Sequence, residues 1–267
     1  MNINIKTSLI IVLFVGLYLV YNNINVRYII PKKKVNFYQP TKVLLGLPTI
    51  DRDYMIVENF YNLLSKSISQ IKNIQIDLLV TMRHKDEKMY KFWKDKSTIK
   101  LMDDYDIEER HNLKMVSKTF DYIKNYSYEN AYDTLIIVES DIFVEKDTIQ
   151  ILLEKLKYSH VVLFPFETPW AKYPIVLKDG IFYKFDNARN FKKNEYILGH
   201  GTGCMAINKQ VIKDKNINFE YIDFKGIYGQ DIGFFQNLNR NYYKVLMINN
   251  ELYHAYKEVK LINNILL

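Results

Sequence analysis

The sequence predicts an α/β domain with a mostly parallel central sheet, preceded by one N-terminal transmembrane helix. Apolar runs of strand length alternate with segments of helical periodicity, and an uncharged apolar stretch lies near the amino terminus. The 267 residues are 48% hydrophobic and 25% charged, which suits one packed domain with a short appendage. We expect a tail at 1–6, a membrane anchor at 7–21, a basic stem at 22–41 and a globular domain at 42–267.

The membrane anchor is predicted from composition. Residues 8–21 carry no charge, and the apolar character extends back to Ile3 if Lys6 reaches the membrane surface. At about 1.5 Å per residue, the stretch from Ile3 to Tyr21 covers roughly 28 Å, close to the thickness of a bilayer core. A cleaved signal peptide is the alternative, but residues 22–25 lack a small-x-small cleavage site. A core helix is disfavoured because the segment is apolar on all sides.

The charges around the anchor leave its orientation open. Lys6 precedes the span, whereas Arg27 and the lysines at 32–34 follow it, and this bias alone puts the domain in the cytosol. Asn125-Tyr126-Ser127 is a glycosylation sequon, which fits a lumenal domain instead.

The charge pattern does not predict nucleic-acid binding. The formal net charge is +7, but 37 basic residues are interleaved with 30 acidic ones. A nucleic-acid surface needs a basic stripe with aromatic stacking positions, so we expect no nucleic-acid partner. Cys204 is the only cysteine, so an intrachain disulfide cannot form and the fold depends on its apolar core.

Regular elements are predicted along the whole domain. Short apolar runs indicate buried strands, and apolar residues at helical spacing indicate amphipathic helices. We expect strands at 42–47, 76–82, 99–102, 134–138, 160–164, 203–207 and 243–248, helices at 54–71, 110–126, 150–156 and 231–238, and a hairpin at 175–185. This alternation predicts helices on both faces of the sheet and a ligand site at the carboxyl ends of its strands.

The clearest chemical signal is Glu139-Ser140-Asp141, which follows directly on the apolar run 134–138. In an extended chain residues i and i+2 project to the same side, so the two carboxylates are expected to share one spot. Like charges at that separation favour a bound cation, and a hard divalent ion takes carboxylate and phosphate oxygens. The alternative is a pair of solvated acids at a strand end.

Two further residues suit the same site. Asp231 heads a predicted helix, where a carboxylate either caps the helix or acts as a general base held toward a hydroxyl group. His254 follows the last predicted strand, and a neutral imidazole can complete the coordination of a metal ion. For a single histidine, an ordinary surface or core role is the more common one.

A glycine-rich stretch covers Gly199, His200, Gly201, Thr202 and Gly203. Such a stretch allows the backbone to approach a ligand closely, and it equally allows a tight turn. It leads into a strand rather than opening a helix, so it is not a dinucleotide fingerprint. We interpret it as a wall of a ligand pocket.

In sequence order, an acidic triplet, a glycine loop, an acid at a helix start and a carboxyl-terminal histidine resemble the hallmarks of GT-A glycosyltransferases. Residues 46–52, Gly-Leu-Pro-Thr-Ile-Asp-Arg, also resemble the start of the N-acetylglucosaminyltransferase IV family and its relatives. The resemblance covers roughly residues 42–256 and is more specific for fold and reaction class than for the exact family. Ser140 stands where that family commonly has an acid, and Gln230 stands where many relatives have Glu.

The resemblance implies a role for each matched residue. Asp141 is the principal ligand of Mn²⁺ or Mg²⁺, Glu139 binds the metal or the ribose, and His254 is a further metal ligand. Asp231 is the catalytic base. The other residues are assigned to the nucleotide-sugar donor site (Pro48, Thr49, Arg52, Lys114, Glu139 and Ser140) or to the sugar and acceptor pocket (Trp170, Gly199, His200, Gly201, Thr202 and Gly203).

The predicted function is transfer of a hexosyl or N-acetylhexosaminyl group from a nucleotide sugar to a glycan, glycoprotein or glycolipid. The reaction inverts the anomeric centre if Asp231 is the base, and retention stays open if Asp231 only orients the acceptor. The resemblance implies a type II membrane protein of ER or Golgi-like membranes. A nucleotidyltransferase on a similar scaffold and a non-catalytic membrane-anchored binding protein are the two alternatives.

Overall fold

The structure is a computed structural model that describes residues 32–36, 39–103, 113–166, 175–178, 181–184, 195–197, 201–224, 227–250 and 252–255. The predicted anchor at 7–21 lies outside the described residues, as do Trp170, Gly199 and His200, so these predictions stand as made. Within the described ranges, no helix has both the length and the apolar character needed to cross a bilayer.

Fourteen strands and six α-helices form the described part of the chain. The strands are β1 (Lys42–Pro48), β2 (Gln75–Arg83), β3 (Thr98–Met102), β4 (Thr134–Val138), β5 (Ile142–Phe143), β6 (Val161–Leu163), β7 (Ile175–Lys178), β8 (Ile181–Lys184), β9 (Glu195–Tyr196), β10 (Cys204–Asn208), β11 (Ile222–Phe224), β12 (Ile227–Gly229), β13 (Val245–Met247) and β14 (Tyr253–His254). The helices are α1 (Val57–Ile68), α2 (Glu87–Trp93), α3 (Leu113–Glu129), α4 (Thr148–Lys155), α5 (Lys209–Lys213) and α6 (Gln230–Arg240).

The main sheet is mostly parallel, as predicted. Eight of the described strands form it in the order β3-β2-β1-β4-β10-β6-β13-β9. Strands β1 to β4 are mutually parallel, and β13 is parallel to β6. Strand β10 runs antiparallel to both β4 and β6, and β9 runs antiparallel to β13. The predicted hairpin is also present, with β7 antiparallel to β8.

Helices cover both faces of the sheet. Alternate residues of β1 point to opposite faces, so each face carries apolar side chains that pack against helices. Val43 and Leu45 belong to one buried cluster with Phe60 of α1, and α4 contributes to the same side. Leu44 belongs to the second cluster with Phe120 of α3, to which α6 also contributes. Chain segments on the two sides thus form separate apolar layers on one sheet, which is the architecture that the strand and helix alternation predicts.

One helix prediction needs correction, and two short helices, α2 and α5, were not predicted. The segment predicted as one helix at 54–71 is a 3-10 turn, Asp51–Ile56, followed by α1, which ends at Ile68. The chain leaves the helix at Ser69 and turns at Asn73, which has a positive φ of 62°. Helix α2 was not predicted. It is short, and the backbone N–H of Met89 in its first turn donates to the Asp51 carboxylate 2.9 Å away, a cap supplied from a distant part of the chain.

Candidate active site

The acidic triplet lies where β4 ends, but not in the extended conformation that we predicted. Strand β4 ends at Val138, and the N–H of Ile142 donates to the carbonyl of Glu139 over 3.0 Å, which closes a turn. The i to i+2 geometry of a strand therefore does not apply to Glu139 and Asp141. Their carboxylates still interact, since burial and then the charge of Asp141 raise the pKa of Glu139. Asp141 is buried, with 6% of its surface exposed.

Strand pairing brings His254 to Asp141. Strand β14 is antiparallel to β5, with His254 opposite Ile142, and the N–H of Ala255 donates to the Asp141 carbonyl over 2.7 Å. The side chains then meet, with Nε2 of His254 3.1 Å from Oδ2 of Asp141. The Phe166 ring packs edge-on against the imidazole, with the ring centres 5.6 Å apart. Backbone and side-chain contacts thus both fix the histidine.

A second group of polar residues joins the site from the 3-10 turn. Nη2 of Arg52 lies 3.2 Å from Oδ2 of Asp141, and Nε of Arg52 donates to Oδ1 of Asp53 over 3.0 Å. Ser140 donates from Oγ to the other Asp53 oxygen over 2.6 Å. Asp53 is 2% exposed. Arg52 and Ser140, which the resemblance assigned to the donor, therefore lie at the acids and bond to them.

Asp231 is held at the amino-terminal end of α6. Its Oδ1 accepts the N–H of Ile232 over 2.9 Å, a bond that lies in the first turn of the helix. Gly229 lies against this carboxylate so closely that a Cβ atom at residue 229 would collide with Oδ1 of Asp231. The side chain is half-buried, and burial raises the pKa of Asp231 to about 6 in spite of its backbone hydrogen bonds.

Helix α6 is itself anchored to α3 by the segment before β11. The Phe219 and Phe234 rings stack with centres 4.2 Å apart, and Gly233 has no room for a Cβ beside the Glu220 carbonyl. The N–H of Phe219 donates to Asp121 of α3 over 2.7 Å. These contacts hold α6, and with it the backbone of Asp231, in place.

Electrostatic interactions connect the acids into one cluster. Burial and then the charge of Asp141 raise the pKa of Glu139 to about 8, with Asp231 and Asp53 adding smaller effects in the same direction. Burial by itself would also raise the pKa of Asp141. Its hydrogen bond and charge interaction with His254, together with the charge of Arg52, outweigh burial and lower the pKa of Asp141 below its usual range. Burial and the charge of Asp141 raise the pKa of Asp53 to about 6. In the described part of the site, these carboxylates outnumber their cationic partners.

The donor atoms suit a divalent cation only in part. Two cis ligands of an octahedral Mg²⁺ ion are about 3 Å apart, and the 3.1 Å between Nε2 of His254 and Oδ2 of Asp141 fits both this arrangement and a hydrogen bond. The described residues contain no group of three acidic, histidine or cysteine side chains placed to hold a metal. Mg²⁺ is usually bound by one or two carboxylates together with substrate phosphates and water, so two protein ligands are compatible with such an ion.

Gly201 and Gly203, the described glycines of the glycine stretch, have a packing role. The ring of Phe166 lies against Gly201 and Gly203, where a Cβ atom would be 2.8 Å from its Cζ atom in each case. Because these glycines have no side chain, they leave space for the ring that packs on His254. Their Cα atoms therefore lie against a side chain of the protein itself. Thr202 is 2% exposed, and its hydroxyl has no hydrogen-bond partner among the described atoms.

The remaining predicted donor-site residues lie at different distances from the acids. Pro48 ends β1, and the buried Thr49 follows it, with its N–H bonded to the Thr81 carbonyl over 2.9 Å. Both lie at the carboxyl end of β1, next to the 3-10 turn that carries Arg52. Lys114 is exposed in the first turn of α3, and no ion pair joins it to the acids in the described structure.

Sequence reasoning missed Asp53. It is an acid among other acids and polar residues, and its burial depends on contacts with Ser140 far along the chain. One available signal was its place directly after Arg52, in a segment that follows a buried strand of a predicted parallel sheet.

Comparisons with known proteins give weak similarities. Neither a protein-family model nor a curated protein matches the chain. Residues 1–349 of TarS from S. aureus are similar with a TM-score of 0.48 and 13% identity, over 83% of this chain and 64% of that chain. The same TarS fragment in complex with UDP-GlcNAc gives a TM-score of 0.48 and 13% identity, over 79% of this chain and 58% of that chain. A197 from STIV gives a TM-score of 0.41 and 12% identity, over 78% of this chain and 81% of that chain.

The chain therefore covers less than two thirds of the TarS fragment. The resemblance to the N-acetylglucosaminyltransferase IV family stays a prediction, and the function has to be inferred from the geometry of the site.

Proposed function

We propose that the chain is a glycosyltransferase that moves a sugar from a nucleotide-sugar donor to an acceptor hydroxyl. The observation that carries the proposal is the contact of Asp141 with His254, which joins two segments far apart in the sequence beyond the carboxyl end of β4, where α/β sheets of this kind bind their ligands. Glu139 lies in the same turn as Asp141, and the charge of Asp231 adds to the rise in the pKa of Glu139 that burial and the charge of Asp141 cause. A pair of solvated acids at a strand end would not account for their burial or for their shared electrostatics.

The chain's own residues suit the proton transfer that this reaction needs. The acceptor loses its hydroxyl proton as its oxygen bonds to the anomeric carbon, and the bond from that carbon to the phosphate oxygen breaks. Asp231 accepts the proton, since its pKa of about 6 leaves it ionised at neutral pH and basic enough to act. The first turn of α6 holds the carboxylate in one orientation.

Asp141 and His254 are the residues that would hold a Mn²⁺ or Mg²⁺ ion. When bound, such an ion stabilises the negative charge that develops on the departing nucleoside diphosphate. Two protein ligands leave room for phosphate oxygens of the donor, which is consistent with the described donor set. Glu139, in the same turn as Asp141, is a further candidate ligand for the ion or for the donor ribose.

Release of nucleoside diphosphate tests the proposal. We expect the purified full-length chain, in detergent, to hydrolyse at least one nucleotide sugar when Mn²⁺ or Mg²⁺ is present and to lose this activity in EDTA. Asp141→Ala should abolish the release. Asp147→Asn, which changes an exposed acid before α4, should not.

The alternatives give different results in the same assay. Release of pyrophosphate instead of nucleoside diphosphate would indicate nucleotidyl transfer. If the chain binds a nucleotide sugar but turns over none of those tested, and if Asp141→Ala leaves this binding unchanged, the result would indicate a binding protein and would contradict the proposal.

Gly229→Ala tests whether the placement of Asp231 matters. A methyl group at residue 229 would displace the Asp231 carboxylate, and we expect kcat to fall by up to about 10²-fold because a small displacement of a reacting group is enough for such a loss. Mn²⁺ binding, measured by calorimetry, should not change, since Asp141 and His254 lie on other segments. A variant with wild-type kcat would show that the position of this carboxylate is not critical.

A further inference from the structure

Asp86 begins α2, yet its side chain does not cap this helix. An aspartate at such a position normally accepts backbone N–H groups of the first turn. Within α2, which the structure describes in full, Asp86 forms no bond of this kind. Its Oδ1 accepts the N–H of Asp51 over 3.0 Å, and Oδ1 of Asp51 accepts the N–H of Met89 over 2.9 Å. Each carboxylate thus binds the backbone of the other segment.

A buried ion pair fixes the Asp86 carboxylate. Nε and Nη2 of Arg83 donate to its two oxygens over 2.9 Å and 2.6 Å, and the N–H of Arg83 donates to Oδ2 over 2.8 Å. Asp86 is 1% exposed. A forked pair of this kind is strong and restricts the relative orientation of its members. The N–H of Asp51 therefore meets an acceptor that is held by the end of β2. We call Asp51, Arg83 and Asp86 the clasp.

The clasp fixes the start of the 3-10 turn. The N–H of Asp53 donates to the carbonyl of Ile50 over 3.0 Å, which closes the turn around Asp51. Both the backbone N–H and the carboxylate of Asp51 are bonded to the segment that begins α2. Arg52 is the next residue, and its Nη2 lies 3.2 Å from Oδ2 of Asp141. The clasp thus holds the backbone from which this arginine reaches the acidic turn.

The exchange of caps connects two segments that lie 35 residues apart. A local cap from Asp86 would stabilise α2 as well and would leave the 3-10 turn unattached. What the exchange adds is a fixed distance between the end of β2 and the turn that carries Arg52.

We propose that the clasp positions Arg52 at Asp141, so that Asp51 and Asp86 are positioning residues for sugar transfer. The inference rests on the proposed function. Arg52 and His254 both contact Oδ2 of Asp141, and together they orient this carboxylate. A small displacement of a group that holds a substrate lowers the rate strongly, so the clasp affects turnover although it does not touch the acids itself.

Asp51→Ala removes one of the two attachments of the turn. For the nucleotide sugar that the wild type hydrolyses, we expect kcat/KM to fall about tenfold. Asp51→Asn keeps an oxygen for the N–H of Met89 and should retain a value near that of the wild type. Asn208→Ala is the matched control, because Asn208 caps α5 through two backbone N–H groups and pairs with Thr134, the first residue of β4. It should lower the melting temperature but not kcat/KM.

A double-variant cycle separates positioning from a general loss of structure. If the clasp acts through Arg52, adding Asp51→Ala to Arg52→Ala should cause no further loss of kcat/KM, whereas the decreases in melting temperature should still add. The Arg83→Met, Asp86→Ala variant removes both members of the ion pair, so that neither charge is left buried alone. It should show the same tenfold loss, and again none on top of Arg52→Ala.

Hydrogen exchange provides a measurement that needs no substrate. Peptides that cover residues 49–56 should exchange faster in Asp51→Ala than in Asn208→Ala, because only the first variant releases the turn. Equal exchange in the two variants would overturn the proposed attachment.

The failure of this inference differs from the failure of the proposed function. An active wild type in which the folded clasp variants keep full kcat/KM, or lose it equally with and without Arg52, would overturn the positioning role and leave the glycosyltransferase proposal intact. A wild-type chain that hydrolyses no nucleotide sugar would overturn both.

Discussion

Asp231→Asn is expected to lower kcat by about 10²- to 10⁴-fold, the usual contribution of a general base. The asparagine side chain has nearly the same shape and keeps an oxygen that accepts the Ile232 N–H, so α6 and its contacts with α3 should persist. It removes only the ability to accept a proton. We therefore expect affinity for the nucleotide sugar to remain close to that of the wild type, as measured by calorimetry beside initial rates.

The pH dependence of kcat provides an independent check on the base. Burial raises the pKa of Asp231 to about 6, and only the ionised form accepts a proton. The activity of the wild type should therefore be full above this pKa and decline as the pH falls through about 6. The residual activity of Asp231→Asn should lack this decline. A variant that retains the acidic limb would assign it to another group and would remove Asp231 from the role of base.

Local patterns were sufficient to predict most strands of the main sheet, but not β9. Strands β1 and β4 are short apolar runs that are almost fully buried, and such runs are recognisable without any tertiary information. Strand β2 is buried only from Leu79 onward. The direction of β10 could not be predicted in this way, because a buried parallel strand and a buried antiparallel strand can have the same apolar sequence pattern. Helix α2 was missed because its amino-terminal cap comes from Asp51.

The candidate site was predictable in its acids and histidine but not in their connections. Glu139 and Asp141 are recognisable because they follow a buried strand of a predicted parallel sheet, and Asp231 because it heads a helix. His254 reaches Asp141 through the antiparallel pairing of β14 with β5, which the sequence does not show. The pairing of Arg52 with Asp141 depends on the geometry of a 3-10 turn, for which the sequence carries no clear pattern.

The glycine stretch shows a different limit of sequence reasoning. A glycine that admits a ligand and a glycine that admits a side chain of the same protein have the same sequence signal, because both need the absence of a Cβ. The contacts of Gly201 and Gly203 with Phe166 could be read only from the fold.

Asp141→Asn is expected to have the largest effect of any single substitution at the site. It removes the charged ligand of the proposed cation, and we expect turnover of the nucleotide sugar to fall by at least about 10³-fold, with Mn²⁺ binding lost in calorimetry. The ionised carboxylate is stabilised in the folded chain by His254 and Arg52, which lower its pKa. Its neutral replacement leaves these two partners poorly paired, so the free energy of unfolding in EDTA should fall by about 1–3 kcal/mol.

Glu139→Gln is the matched comparison, because it neutralises the neighbouring acid in the same turn. Burial, and then the charges of Asp141, Asp231 and Asp53, raise the pKa of Glu139, so its ionised form is disfavoured, whereas that of Asp141 is favoured. Its neutral replacement should leave the free energy of unfolding in EDTA unchanged or higher, while activity still falls. Equal destabilisation by both substitutions would mean that the acids act through packing alone. If Asp141→Asn lowers the free energy of unfolding, Glu139→Gln raises it, and both variants lose activity, the fold holds negative charges close together at a cost in stability so that a cation can bind.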